Sequence, residues 1–299
     1  MQHILVLLNA NAGTMLDRDA EQVRKLVEDG LGGGDRKVEV HLLSGKKLGK
    51  AIKDAASGAH DTVILGGGDG SVSLAVRTLH ESGKVLGILP LGTINLMARD
   101  IGMPLVLEEA IEALADAVPT KIDLATLNGR LFHTISGIGF FSQMARARET
   151  ARHWKLWRFF AVAIAALLAI RRTGRFQLDV TIDGERHSYE AFAALVTVNR
   201  FIGPGWRRAR LDEGLLEVHI AEDRGALAKL KAGADMMTDS WRDNPGIINL
   251  AGHDIVLARR NRARTWVSTD GELDREEMPL RYSIAPLSLE LLIPKTELG

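Results

Sequence analysis

At 299 residues, 46% of them apolar, the chain is long enough for two domains, each with a core of its own. Its 38 Lys and Arg are balanced by 38 Asp and Glu, so no basic field marks it as a nucleic-acid binder. The absence of cysteine removes disulfides, thiolate zinc sites, iron–sulfur clusters and a cysteine nucleophile.

The first third alternates short apolar runs with helical periodicity. Ile4–Leu8 predicts a buried strand rather than a signal peptide, because it lacks a basic start and a long apolar centre, and a cytoplasmic location is the expectation. Then come a helix over Asp17–Asp29, a strand over Lys37–Leu42, a helix over Leu48–Ala56 and a strand over Thr62–Leu65. A glycine-rich turn leads into a helix ending near His80, then a strand over Val85–Leu89 and a helix over Val106–Ala117. Such alternation predicts a mostly parallel sheet covered on both faces.

After Asp123 the pattern becomes antiparallel and β-rich. Asn128-Gly129 and Asp183-Gly184 sit between extended segments as hairpin turns do. Strands are expected over Leu178–Ile182, Ala193–Val198, Leu215–Ile220 and Leu287–Ile293, with helices over Gln143–Arg172 and Ala226–Trp241. The expected division is 1–123 and 124–286, with 287–299 able to return to the first domain. Twelve uncharged residues, Phe159–Ile170, are too few for a membrane-spanning helix, which takes about 20.

The run Gly66-Gly67-Gly68-Asp69-Gly70-Ser71 follows a strand and opens a helix. Glycines there let a ligand approach the backbone, and the free N–H groups and dipole of the helix start favour an anion, phosphate above all. It is neither a Walker A loop nor G-x-G-x-x-G. Asp69 would oppose a bare phosphate, so it makes sense there beside a metal or a substrate hydroxyl. A second turn, Pro90-Leu91-Gly92-Thr93-Ile94-Asn95, follows the next strand and should lie beside the first at the carboxyl edge of the sheet. Its Thr93 and Asn95 offer a hydroxyl and an amide, although both residues are also common helix caps.

At this pair of turns the chain resembles the diacylglycerol kinase catalytic family, which includes sphingosine kinases and bacterial diacylglycerol-kinase-like lipid kinases. Gly67–Ser71 is similar to its G-G-D-G-T signature and Pro90–Asn95 to its P-L-G-T-x-N signature. Asn9-Ala10-Asn11-Ala12-Gly13 resembles the N-P-x-x-G loop, Ile122-Asp123 the interdomain link, Asp212–Val218 the D-G-x-x-x-V metal hairpin, and Asp270-Gly271-Glu272 the late D-G-E motif. Departures are Ala10 for proline, Ser71 for threonine, Leu96 for aspartate, Glu213 for the hairpin aspartate, and Ser73-Leu74 for asparagine–glutamate.

The resemblance implies an α/β N-terminal domain related to NAD kinase and phosphofructokinase, a β-sandwich C-terminal domain, and ATP in the cleft between them. It implies transfer of the γ-phosphate of ATP to the hydroxyl of diacylglycerol or a related lipid alcohol, with magnesium. Nucleotide-binding residues would be Asn9, Gly66, Gly67, Gly68, Asp69, Gly70, Ser71, Gly92, Thr93 and Asn95. Magnesium would be held by Asp212 or Glu213 with the Leu215 carbonyl. Glu272 would be the base, with Asp69 the alternative, and Asp270 the third catalytic acid. A lipid substrate implies work at a membrane surface, for which the stretch from Ser142 to Asp179, with eight cations against two acids and an apolar centre, is the candidate contact. The bland alternative for that stretch is a core helix with snorkelling ends. Phe201–Trp206, with two large aromatics, is a second candidate contact.

Two other readings have distinct signatures. An NAD-kinase-like soluble enzyme shares the glycine turn but calls for an asparagine–glutamate pair and a threonine-rich nicotinamide loop, which are missing. A catalytically silent nucleotide- or lipid-binding regulator would fit Leu96, Ser73 and Glu213. The nine histidines show no H-x-x-x-H spacing. The identity of the lipid and the oligomeric state, a homodimer included, are open at this level.

Overall fold

The computed structural model describes the chain except residues 1, 17, 152–173, 203–206, 224, 226–240 and 296–299. The chain forms two compact units, one of residues 1–124, 206–212 and 286–299, the other of 125–205 and 213–285.

The first unit is α/β. Its elements are β1 (His3–Asn9), α1 (Ala20–Leu31), β2 (Lys37–Leu43), α2 (Gly45–Ser57), β3 (Thr62–Gly67), α3 (Asp69–Leu79), β4 (Val85–Pro90), α4 (Leu96–Asp100) and α5 (Leu107–Ala115). The strands pair in parallel in the order β2-β1-β3-β4. Every residue of β3 is buried, as a central strand covered on both faces requires. The helices earn their places by spacing: Val23, Val27 and Leu31 recur every four residues on α1 and are buried, as are Leu48, Ile52 and Ala55 on α2. Helix α1 starts at Ala20 rather than Asp17 because the Asp19 carboxylate accepts the N–H groups of Glu21 and Gln22, at 3.0 and 2.9 Å. Helix α4 was not expected; five residues are too few to show a period.

The second unit is an antiparallel β-sandwich. It is built from β5 (Val118–Leu127), β6 (Arg130–Phe132), β7 (Ile135–Gly139), α6 (Phe140–Ala151), β8 (Phe176–Ile182), β9 (Glu185–Val198), β10 (Phe201–Ile202), β11 (Arg207–Arg208), β12 (Leu216–Glu222), β13 (Ile247–Gly252), β14 (Asp254–Arg259), β15 (Arg264–Thr269), β16 (Glu272–Glu277) and β17 (Leu280–Ile293), of which β11, the start of β5 and the end of β17 belong to the first unit. Strand order runs β16-β15-β7-β9-β8-β14-β17, with β12 and β13 continuing from β9. Both expected hairpin turns are present, Leu127 facing Arg130 across Asn128-Gly129 and Ile182 facing Glu185 across Asp183-Gly184. The core holds Phe132, Leu178, Val180, Val196, Val218, Ile220, Leu257 and Tyr282.

Within the first unit, Glu290 and Leu291 of β17 pair in parallel with Val85 and Leu86 of β4. The Asp123 carboxylate accepts the Leu287 N–H at 2.8 Å, and the Asp123 N–H reaches the Leu211 carbonyl at 2.7 Å. Strand β11 is fastened there too by a buried ion pair, Arg208 Nε to Asp100 Oδ2 at 2.7 Å.

The expected helix Gln143–Arg172 is described only as far as Ala151; of the expected helix Ala226–Trp241 only Trp241, buried at the start of a short 3-10 turn, is described, and the Gly203–Trp206 part of the second aromatic loop lies outside the described residues. Among the described residues no helix is long and apolar enough to cross a membrane.

Candidate functional site

Because β1, β3 and β4 are neighbours in register, with Leu8 facing Gly66 and Gly67 facing Pro90, their carboxyl ends deliver three loops side by side. Asn9 closes the first strand, the glycine turn the second, and Leu91–Asn95 the third. The contacts among them are short. Asn9 Nδ2 donates to Ser71 Oγ at 3.2 Å, Thr14 N–H to the Leu91 carbonyl at 3.2 Å, and Leu91 N–H to the Gly67 carbonyl at 3.1 Å.

The glycines are required by proximity. A Cβ at Gly66 would meet Leu8 Cδ2 at 2.5 Å and Leu91 Cδ1 at 2.9 Å. One at Gly92 would meet the Gly68 Cα at 2.5 Å and Asn95 Oδ1 at 2.7 Å, so the two turns touch backbone to backbone. Gly68, Asp69, Gly92 and Ser71 are half-buried, while Gly70 and Thr93 face solvent. At the start of α3 the Ser71 and Val72 N–H groups bond the Gly68 carbonyl at 2.9 and 3.1 Å, while the Asp69 and Gly70 N–H groups stand where a helix offers no intrahelical acceptor. The donor set, backbone amides beside a serine and a threonine hydroxyl, fits a polyphosphate.

Two side chains expected to face the nucleotide hold backbone partners at the second turn. Asn95 is buried in the left-handed region (φ 54°); its Oδ1 accepts the Gly92 N–H at 2.9 Å and its Nδ2 donates to the Gly92 carbonyl at 3.0 Å. The Asn95 amide therefore folds the second turn onto itself. Asp69 accepts the Leu96 N–H at 2.6 Å through Oδ1 and the Asn95 N–H at 3.3 Å through Oδ2.

The late acids lie in the second unit. Asp270 and Gly271, at φ 48° and 85°, form the two-residue turn between β15 and β16, with Thr269 facing Glu272. The Asp270 carboxylate is buried and accepts three N–H groups from the turn before β7: His133 at 2.8 Å, Thr134 at 3.0 Å and Ile135 at 3.1 Å. Glu272 is half-buried at the start of β16. On the same strand Asp274 binds Arg130 at 2.6 Å. Burial works against the Arg130 charge, but the bond to Asp274 and the fields of Asp274, Glu276 and Glu272 outweigh it and hold the guanidinium above its usual pKa.

The candidate metal turn is oxygen-rich and already engaged. Asp212 binds Arg210 at 3.1 and 3.3 Å in the first unit. In the second, Glu213 accepts the Arg200 N–H at 2.9 Å and lies 3.5 Å from its guanidinium. Asn199 grips Leu215 from both sides, its N–H on the Leu215 carbonyl at 2.9 Å and its Oδ1 facing the Leu215 N–H at 3.4 Å. Among the described residues no three His, Asp or Glu gather as a metal cluster. A carboxylate with a carbonyl suits magnesium in kind, since that ion commonly keeps several waters. Asn199, Arg200 and Arg130 carry no motif, and only the folded chain reveals them.

Comparison with known proteins decides the family. The diacylglycerol kinase catalytic domain matches residues 3–127, and the YegS C-terminal NAD kinase beta sandwich-like domain matches residues 139–293. The chain belongs to the diacylglycerol kinase catalytic family.

Within that family, a Pseudomonas aeruginosa protein named "probable lipid kinase YegS-like" is 34% identical over 82% of this chain and 80% of its own length. The Bacillus subtilis diacylglycerol kinase is 27% identical over 75% of this chain and 73% of its own. An uncharacterized Synechocystis protein is 26% identical over 83% of the chain, which spans 59% of that longer relative. A crystal structure of a diacylglycerol kinase from Bacillus anthracis shares the fold, with a TM-score of 0.75 at 18% identity over 99% of this chain and 98% of that one.

Proposed function

We propose that the chain is a magnesium-dependent lipid kinase that moves the γ-phosphate of ATP to the hydroxyl of diacylglycerol or a related lipid alcohol. The observation that carries the reading is the double turn in which the Gly68 and Gly92 backbones meet too closely for a side chain at Gly92. The α3 amides and the Ser71 and Thr93 hydroxyls orient the phosphates, which is the main demand of phosphoryl transfer. Bound magnesium, for which Asp212, Glu213 and the Leu215 carbonyl are the proposed ligands, supplies countercharge.

In the proposed reaction the lipid oxygen bonds to the γ-phosphorus, the bond to the β-phosphate oxygen breaks, and ADP leaves. The hydroxyl proton goes to Glu272. Asp270 is buried, accepts three N–H groups and lies 3.4 Å from the His133 ring, which supports a structural role for it. The acceptor is a membrane lipid, so the proposal includes peripheral attachment of a cytoplasmic protein, supported by the basic and apolar composition of the Ser142–Asp179 stretch.

Incubation with magnesium, γ-labelled ATP and a total membrane lipid extract tests this. A labelled phospholipid, identified by mass spectrometry, is the expected product. Nucleotide binding without any labelled lipid would point instead to a silent regulator, and NADP formed from NAD would revive the soluble-kinase reading.

A further inference from the structure

Three amides of the second turn and the start of α4 are already engaged. Gly92 N–H goes to Asn95, and the Asn95 and Leu96 N–H groups go to the carboxylate of Asp69. Both oxygens of Asp69 are thereby directed at the start of α4, the strongest contact being 2.6 Å. A charged acceptor facing two peptide N–H groups is held in place, and a proton acceptor for a lipid alcohol must face that alcohol instead.

We propose that Asp69 is a positioning residue: its carboxylate clasps the second phosphate turn to the first and takes no proton in the transfer. This rests on the proposed nucleotide function of the cradle. The closeness of the two turns needs such a fastener. Gly68 and Gly92 are in backbone contact, yet the nearest main-chain bond between the turns, Leu91 N–H to Gly67 O at 3.1 Å, lies before the glycines. Asp69 ties the far side, after Thr93. The carboxylate also faces the positive end of α4, where the position after the asparagine holds Leu96, which has no carboxylate to contribute. The backbone of Leu96 takes part where its side chain cannot.

The test compares Asp69→Asn, which keeps one acceptor oxygen, with Asp69→Ala, which keeps none. Three quantities are read: exchange of the Asn95 and Leu96 amides, calorimetric affinity for a non-hydrolysable ATP analogue, and turnover on lipid at saturating ATP. Loss of the acceptor in D69A should speed both amides and weaken the analogue about tenfold or more. D69N should recover most of both, with turnover falling less than about tenfold, below the hundredfold or more that loss of a base costs. Wild-type exchange in D69A would overturn the clasp, as would D69N that binds the analogue normally but turns over a hundredfold more slowly. Should D69A fail to fold, Asp69→Ser, whose hydroxyl is too short to bridge the turns, supplies the same contrast with D69N. Failure of the wild type to bind the analogue would sink the nucleotide reading, while amide exchange would still decide the clasp.

Discussion

Asp69-Gly70 and Asp270-Gly271 are the same dipeptide, each coming at or just after the end of a strand, and the fold uses them differently. Asp69 opens helix α3, is half-buried, and reaches two N–H groups on a neighbouring turn. Asp270 sits in a left-handed turn, is 2% exposed, and receives three N–H groups from the turn ahead of β7. The first holds the start of α4; the second is buried against the start of β7. An acidic side chain beside a glycine is thus a tether in both units, and the depth of burial decides what its loss would cost.

The largest contrast should come from the acid that neither tether replaces. Glu272→Gln is expected to lower lipid phosphorylation by about two orders of magnitude or more, with unfolding unchanged. Undiminished turnover would remove Glu272 from the chemistry. Next, Asp270→Ala strands three N–H groups, two of them on buried residues, and a denaturant titration should show a loss of about 3 kcal/mol or more. If the loss is only that of a surface substitution, Asp270 is not the clamp described.

Gly92→Ala sharpens the comparison from the other unit. Its methyl group would fall 2.5 Å from the Gly68 Cα, so the turns must part and ATP affinity should drop roughly tenfold, a loss calorimetry would detect. An unchanged affinity would mean that the glycine contact does not shape the nucleotide site.

The smallest effect is a pH dependence. Burial holds the His219 imidazole below its usual value of 6.5, and the nearby Glu217 carboxylate only partly opposes that. The unfolded chain therefore binds this proton first on acidification. The contribution is complete above about pH 6.5 and is lost as pH falls below it, by no more than about 1.4 kcal/mol per pH unit. Urea titrations of wild type and His219→Gln should differ by a constant offset above about pH 6.5, and that offset should change only on the acid side.

Much of this was legible in the chain. Apolar runs such as Ile4–Leu8 and Thr62–Leu65 have one stable use, a buried strand, and the glycine turns announce close approach of the backbone. What a side chain binds is decided by partners distant in sequence. Nothing local shows that Asn95 turns back onto Gly92, that Asp69 reaches Leu96, or that Asn199 holds Leu215, 16 residues away. Helix α4 escaped because five residues cannot display a helical period. Its start is set by the Asp69 carboxylate from another loop.

A crystal structure with magnesium and a non-hydrolysable ATP analogue tests the central claim most directly. The triphosphate should lie against Gly67–Ser71 and Gly92-Thr93, with Asp69 still bound to the Leu96 N–H. A triphosphate bound away from both turns would contradict the account.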